Sequence, residues 1–333
     1  MRIADLARER LAHLPTPFTF LPTFSSALEG PDIWIKRDDL TGLAGGGNKA
    51  RKLEFITGDA RRKGADTLLT AGGLQSNHAR MTAAAAAALG MDAVLFLSGE
   101  DPGYRQGNLL LDELLGAEAV YLGDGEDYEA PMEEWVERLR GEGRSPYLIP
   151  VGGSVPLGCA GYALAGLELV QQAIAAGVTL DHVVVSSGSG GTAAGLLLAL
   201  AHLSPCTVLH AVLVSRSAEE VRQRILELAE QAAVLLEWPC EHLGGNLEVH
   251  DDFIGPGYAI ATPEGVRAGL TLARTEGILV DTTYTGKGLS GLVGLVDRGR
   301  IGPGETAVFL HTGGVPAIFN ESHQGTFDSV WRK

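Results

Sequence analysis

Two α/β lobes with mainly parallel sheets, each three layers thick, are the fold class this sequence predicts. Strand-like and helix-like segments alternate almost throughout, which is the rhythm of parallel sheets with helices on both faces. The chain has 333 residues, too many for one small core, and 45% are hydrophobic against 20% charged, so a large core can be buried. Its 45 glycines exceed average usage and cluster between apolar runs, where a chain turns tightly or passes close to a ligand.

The elements follow in order. Residues 67–70 form an apolar strand that turns through Gly72-Gly73, and a helical run over 79–89 stops at Gly90. Residues 93–97 read as the next strand, 105–115 as a helix ending at Gly116, 119–122 as a strand, 128–140 as a helix and 147–149 as a strand. The second half repeats the pattern, with helix 164–175, buried strand 182–185, helix 192–202, strand 208–214 and a long helix 218–236. Pro263 opens another helix at its first turn, with Glu264 near the positive end. Residues 307–310 read as the last strand. The alanines at 83–88 are a helix interior of high propensity. The longest apolar stretch, 193–203, is too short to span a bilayer and reads as a buried helix.

The formal net charge of −15 argues against nucleic acid or an anionic membrane as a bulk partner. Cys159, Cys206 and Cys240 are widely spaced, without a paired or metal-type pattern, so a reduced, cytosolic setting is expected. No long apolar stretch follows Met1, and no signal peptide is visible. The nine histidines show no paired spacing, and metal ligands are not suggested.

Four loops carry chemistry-bearing residues. In Gly45-Gly46-Gly47-Asn48-Lys49, three glycines lead into a helix over 51–61, placing Lys49 in its first turn. There the helix macrodipole disfavours an ammonium and lowers its pKa, which suits a Schiff-base nucleophile. The alternative is an ordinary solvated lysine beside a turn. Ser186-Ser187-Gly188-Ser189-Gly190-Gly191-Thr192 links a strand to a helix, and its backbone N–H groups make an anion site suited to phosphate. A dinucleotide site requires an acidic residue ~20 positions on, and none is there; no Gly-Lys-Ser/Thr closes a P-loop. A phosphate monoester is the better fit, against a tight turn with no ligand. In Gln75-Ser76-Asn77-His78, Ser76 and Asn77 suit helix capping, or donors aimed at a carboxylate, and His78 suits a structural role. The last group is dispersed: Gly255-Pro256-Gly257-Tyr258, Tyr284-Thr285-Gly286-Lys287 and His311-Thr312-Gly313-Gly314. Tyrosine hydroxyls serve as acids and threonine hydroxyls bond ring nitrogens, while packing and turn chemistry are the alternative.

Taken in this order, with Lys36-Arg37-Asp38-Asp39 and Arg51-Lys52-Leu53, these motifs make the sequence resemble the D-cysteine desulfhydrase and 1-aminocyclopropane-1-carboxylate (ACC) deaminase family. These are fold-type II enzymes that depend on pyridoxal 5′-phosphate (PLP). The resemblance runs from Leu14-Pro15-Thr16-Pro17 to His311-Thr312-Gly313-Gly314. It implies roles: Lys49 bonds the cofactor covalently, Lys52 and the loop Ser187, Gly188, Ser189, Gly190, Gly191 and Thr192 hold its phosphate, and Asn77 bonds its phenolic oxygen. Ser76 stands near the substrate carboxylate, Tyr258 and Tyr284 are the active-site tyrosines, and Thr312 serves the pyridine nitrogen. The resemblance also implies a homodimer. It implies a larger lobe from residues 1–50 and 161–333, and a smaller one inserted at 51–160.

ACC deaminases look like Tyr-Glu-Gly-Lys where this chain has Tyr284-Thr285-Gly286-Lys287. An acid there keeps the pyridine nitrogen protonated and the ring a strong electron sink. With Thr285 in that place, the resemblance implies prompt β-elimination over cyclopropane opening. D-cysteine, releasing sulfide, pyruvate and ammonia, is the expected small amino-acid substrate. L-cysteate releasing sulfite is the alternative, then ACC, or a PLP-binding protein without turnover.

Overall fold

The computed structural model describes residues 3–123, 127–240, 243–321 and 326. Strands β1 (Phe18–Phe20), β2 (Asp32–Lys36), β7 (His182–Ser187), β8 (Val208–Leu213), β9 (Leu247–His250) and β10 (Thr306–Leu310) form one sheet, in the order β1-β2-β10-β7-β8-β9. Only the short β1–β2 pairing in it is antiparallel. Strands β3 (Thr67–Gly73), β4 (Asp92–Ser98), β5 (Glu118–Leu122) and β6 (Pro146–Ile149) form a second, wholly parallel sheet in the order β5-β4-β3-β6. The expected α/β class with mainly parallel sheets is the observed one.

The helices are α1 (Pro22–Leu28), α2 (Lys49–Arg62), α3 (Asn77–Leu89), α4 (Gly107–Leu114), α5 (Glu129–Gly141) and α6 (Pro156–Ala176) in the first part of the chain. Then come α7 (Gly191–Leu203), α8 (Ala218–Leu236), α9 (Pro263–Glu276) and α10 (Thr285–Asp297). One face of the larger sheet packs Val183, Leu209 and Ala211 on α6, α7 and α8. The other packs Val184, Val212 and Phe309 on α1, α9 and α10. Alternate residues of each strand thus feed two apolar layers, as the pleat requires. The 193–203 stretch is the buried α7, and among the described residues no helix is long and apolar enough to cross a membrane.

Strands β1, β2 and β9 and helix α1 are not signalled in the sequence, and α10 begins at Thr285, where a turn is expected. The expected lobe boundary at 160/161 falls inside α6, which runs unbroken over Pro156–Ala176. Residues 327–333 of the expected larger lobe lie outside the described residues.

In parallel sheets ligands collect beyond the carboxyl ends of the strands. Here β3 ends in the turn to Ser76, β7 in the loop to α7, and β10 just before Thr312. All three ends open on one cleft.

Candidate active site

The cleft has a volume of about 470 Å³. Lys49, Lys52, Ser76, Asn77, Ser187, Gly188, Ser189, Gly190, Thr192, Tyr258, Tyr284 and Thr312 all line it, so residues from six separate segments converge as expected. Gly191 and Thr285 stand behind the wall. His78, Tyr128, Ser215 and Arg216 also line it. Of these, Tyr128, Ser215 and Arg216 belong to no sequence motif that would have singled them out.

Lys49 is the first residue of α2, and its half-buried amine donates to Asn48 Oδ1 at 2.9 Å. Its pKa lies well below the usual lysine value. Burial is the main cause, followed by the charges of Lys52 and Arg80, while Asp281 opposes them. Desolvation and neighbouring cations thus lower it in the direction expected of the helix dipole. The lead-in loop is fixed by sterics. Gly46 has φ +78°, and a Cβ there would lie 1.8 Å from the Asp39 carbonyl oxygen, so only glycine fits. The buried Arg80 guanidinium clamps the same loop by donating to the carbonyls of Ala44 (2.8 Å) and Gly46 (3.1 Å).

One turn along α2, the buried Lys52 amine donates to Gly152 O at 3.0 Å and Ser154 Oγ at 3.3 Å. Burial lowers its pKa to about 8. Ser154 also meets Ser189 Oγ at 2.7 Å and accepts from Gly191 N–H at 3.3 Å. A Cβ on Gly191 would lie 2.6 Å from Ser154 Oγ and 2.8 Å from Lys52 Nζ, so the glycine keeps the N-terminus of α7 open to the amine. Ser187 Oγ is buried with no hydrogen-bond partner. A buried orphan hydroxyl, an amine and a helix N-terminus together fit a phosphate.

Ser76 caps α3, its Oγ accepting from Ala79 N–H at 3.1 Å, so the capping alternative is realised at the cleft wall. Asn77 Oδ1 accepts from Asn108 Nδ2 at 2.9 Å, and Asn108 Oδ1 in turn accepts from Arg80 Nε at 3.2 Å. This chain fixes the amide so that its NH₂ remains available as a donor. His78 Nε2 meets Thr70 Oγ1 at 2.9 Å, a packing bond at the base of the cleft.

Tyr258 and Tyr284 approach hydroxyl to hydroxyl at 2.5 Å. Burial raises the pKa of both, so both stay protonated near neutrality. Thr285 does not reach the cleft. Its hydroxyl donates to Asp281 Oδ1 at 2.6 Å and accepts from Asp281 N–H at 2.9 Å. Asp281, missed from sequence, is fully buried and also accepts from the N–H groups of Thr283, Tyr284 and Thr285. It caps the first turn of α10 by an acid's affinity for free N–H groups.

Residues 9–313 match the family described as pyridoxal-phosphate dependent enzyme. The chain belongs to that family. A solved ACC deaminase homologue is 39% identical, covers 98% of this chain and 97% of its own, and superposes with a TM-score of 0.89. A threonine deaminase from T.th. is 23% identical over 90% of this chain and 92% of its own, with a TM-score of 0.65. O-ureido-L-serine synthase is 18% identical over 99% and 98%, with a TM-score of 0.68. The last two share the fold. This PLP enzyme thus has the fold-type II architecture, and its cleft brings the Lys49 amine and a set of phosphate donors together.

Proposed function

We propose that this PLP enzyme carries out β-elimination on a small β-substituted amino acid, and that its substrate is D-cysteine. One observation supports the reading most: among the described residues, no carboxylate lines the cleft. An acid beside the pyridine nitrogen would hold it protonated. Thr285 has no proton to spare for that nitrogen, since Asp281 takes it. Thr312, in the cleft wall, is left as the donor. A less electron-withdrawing ring favours prompt loss of a β leaving group over a long-lived carbanion.

Bound PLP supplies delocalisation of the charge left at Cα. The residues do the rest. Lys49 anchors the cofactor and, kept neutral by burial and neighbouring cations, takes the Cα proton near neutral pH. Lys52 and the 187–192 loop would hold the phosphate, and Asn77 would donate to the phenolic oxygen. Ser76 orients the substrate carboxylate. The Tyr258–Tyr284 pair supplies a proton to the departing sulfur. With water, D-cysteine gives pyruvate, hydrogen sulfide and ammonia. Arg216, which also lines the cleft, favours a second reading in which L-cysteate loses sulfite, because a guanidinium suits a sulfonate. A homodimer with lobes divided at 50/51 and 160/161 completes the proposal.

A panel of D-cysteine, L-cysteine, L-cysteate, D-serine and ACC tests it, with sulfide, sulfite, pyruvate and 2-oxobutyrate measured separately. Sulfide with pyruvate from D-cysteine is the expected result. Sulfite from L-cysteate alone moves the assignment to the second reading. 2-Oxobutyrate from ACC overturns β-elimination, and no product from any substrate leaves a PLP-binding protein without turnover. Lys49→Ala should lose the cofactor's visible absorbance and the adduct trapped by borohydride.

A further inference from the structure

Three histidines cross the larger sheet on its α9 and α10 face, away from the cleft residues. His182, His210 and His250 lie on the neighbouring strands β7, β8 and β9. Each alternates with residues that pack on the opposite face, so all three rings project from the same side. His182 Nδ1 meets His210 Nε2 at 3.0 Å, and His210 Nδ1 meets His250 Nε2 at 3.1 Å. Glu248, two residues before His250, projects from that face too. Its Oε2 lies 3.5 Å from His210 Nδ1 and 3.8 Å from His250 Nε2.

Those three atoms form a triangle with sides of 3.1, 3.5 and 3.8 Å. Ligands about 2.0–2.2 Å from a tetrahedral zinc ion stand roughly 3.3–3.5 Å apart, so the triangle is close to one face of such a tetrahedron. The outer contacts agree. With His210 Nδ1 as a ligand, its Nε2 carries the proton and donates to His182 Nδ1. His182 Nε2 then carries its own proton toward Glu305 Oε2, 3.4 Å away. Metal-bound imidazoles commonly have such an outer partner. Arg300 donates to Glu248 Oε1 at 2.6 Å, which leaves Oε2 turned to the histidines. Glu248 is one-third exposed, giving an ion access and a water the fourth position.

We propose that His210, Glu248 and His250 form a site for a divalent transition ion of the zinc class. Two imidazoles and one carboxylate suit such an ion over magnesium or calcium. The site joins β8 to β9, at the base of the segment leading to Tyr258.

The test is a Zn²⁺ titration of the metal-stripped holoenzyme by calorimetry, with melting temperature measured in parallel and the exposed Cys206 and Cys240 alkylated beforehand. One ion per chain and a raised melting temperature are expected. Glu248→Gln and His250→Ala should each abolish saturable binding, and His182→Ala should weaken it about 10–100-fold. Co²⁺ in place of Zn²⁺ should give tetrahedral visible bands in the wild type and none in Glu248→Gln. Absence of saturable binding to the wild type overturns the site. So does binding that Glu248→Gln and His250→Ala leave unchanged. Should His250→Ala fail to fold, the conservative Glu248→Gln decides alone.

Discussion

Lys52 holds its proton weakly because burial strips its water and supplies only neutral oxygens, Gly152 O and Ser154 Oγ, in return. Its pKa falls to about 8. A phosphate between Lys52 and the start of α7 would favour the charged amine and raise that pKa again. Linkage fixes the sign. Below about pH 8 the amine is already charged, and phosphate meets no protonation cost. As pH rises through that value toward the ordinary 10.5, each bound phosphate must recruit a proton, and affinity is lost. Inorganic phosphate changes its own charge at lower pH, so the window reports the protein. We expect its affinity for the apoprotein to fall about tenfold per pH unit above roughly 8 by calorimetry. Lys52→Gln should bind weakly at every pH. A wild-type profile that stays level would assign the phosphate to other groups.

Among the elements, α10 illustrates why part of the fold was illegible. Thr285, Gly286, Gly288, Ser290, Gly291 and Gly294 make its sequence a poor helix by propensity and a plausible turn. Packing explains them: a Cβ on Gly288 would lie 2.1 Å from Ser186 Oγ, and one on Gly291 2.5 Å from Val212 Cγ2, so the glycines let the helix lie against β7 and β8. Helices α2, α3 and α7 were legible because apolar spacing and flanking glycines mark them, and α8 because apolar spacing runs over its whole length. The three-residue β1 and the His-bearing β9 carry no such period. The site divided similarly. Residues in tight motifs were found, but Asn108 and Arg80 act through partners distant in sequence, and Asp281 caps a helix whose start was illegible. Lys287, at the family-like motif, also acts at a distance. Its buried amine donates to Ile254 O at 2.8 Å and Gly257 O at 2.7 Å, tying α10 to the segment before Tyr258. Lys287→Met should release that segment and lower turnover toward the level of Tyr258→Phe, about 10²-fold if the tyrosine acts as an acid. Cofactor absorbance should persist. Adding both changes should cost little more than one, and fully multiplied losses would separate Lys287 from Tyr258.

At the scale of the molecule, the motif Lys36-Arg37-Asp38-Asp39 is where α2 and α6 are fastened to the end of β2. Arg51, on α2, reaches Asp38 with two bonds of 2.9 and 2.8 Å and Glu168, on α6, with two of 3.0 and 2.8 Å. Tyr162 adds a hydroxyl to Asp38 at 2.6 Å, and Lys36 pairs with Glu168. The two cations and two anions balance, and Arg51, Asp38 and Lys36 are almost wholly buried. The other side of α2 packs Leu53 and Ile56 into the core around the smaller sheet. One helix thus spans both cores, and Lys49 begins it. A buried pair adds little net stability, but removing one partner strands the other charge, which costs about 3–5 kcal/mol. Arg51→Met should therefore lower unfolding free energy by that amount in urea titrations. Acid should narrow the contrast. Burial pushes the Asp38 pKa up, but Arg51 and Tyr162 more than offset it and hold the carboxyl below its usual value. Its stabilising share is thus complete above about pH 4 and lost only as pH falls further. Without Arg51, burial is opposed less and the carboxyl's folded-state pKa rises, so the variant no longer has that share to lose, and the two stabilities should converge as pH falls below about 4. An Arg51→Met variant with a wild-type urea midpoint at neutral pH would mean that the apolar contacts of α2 alone hold the two cores together, and that Lys49 owes its position to them.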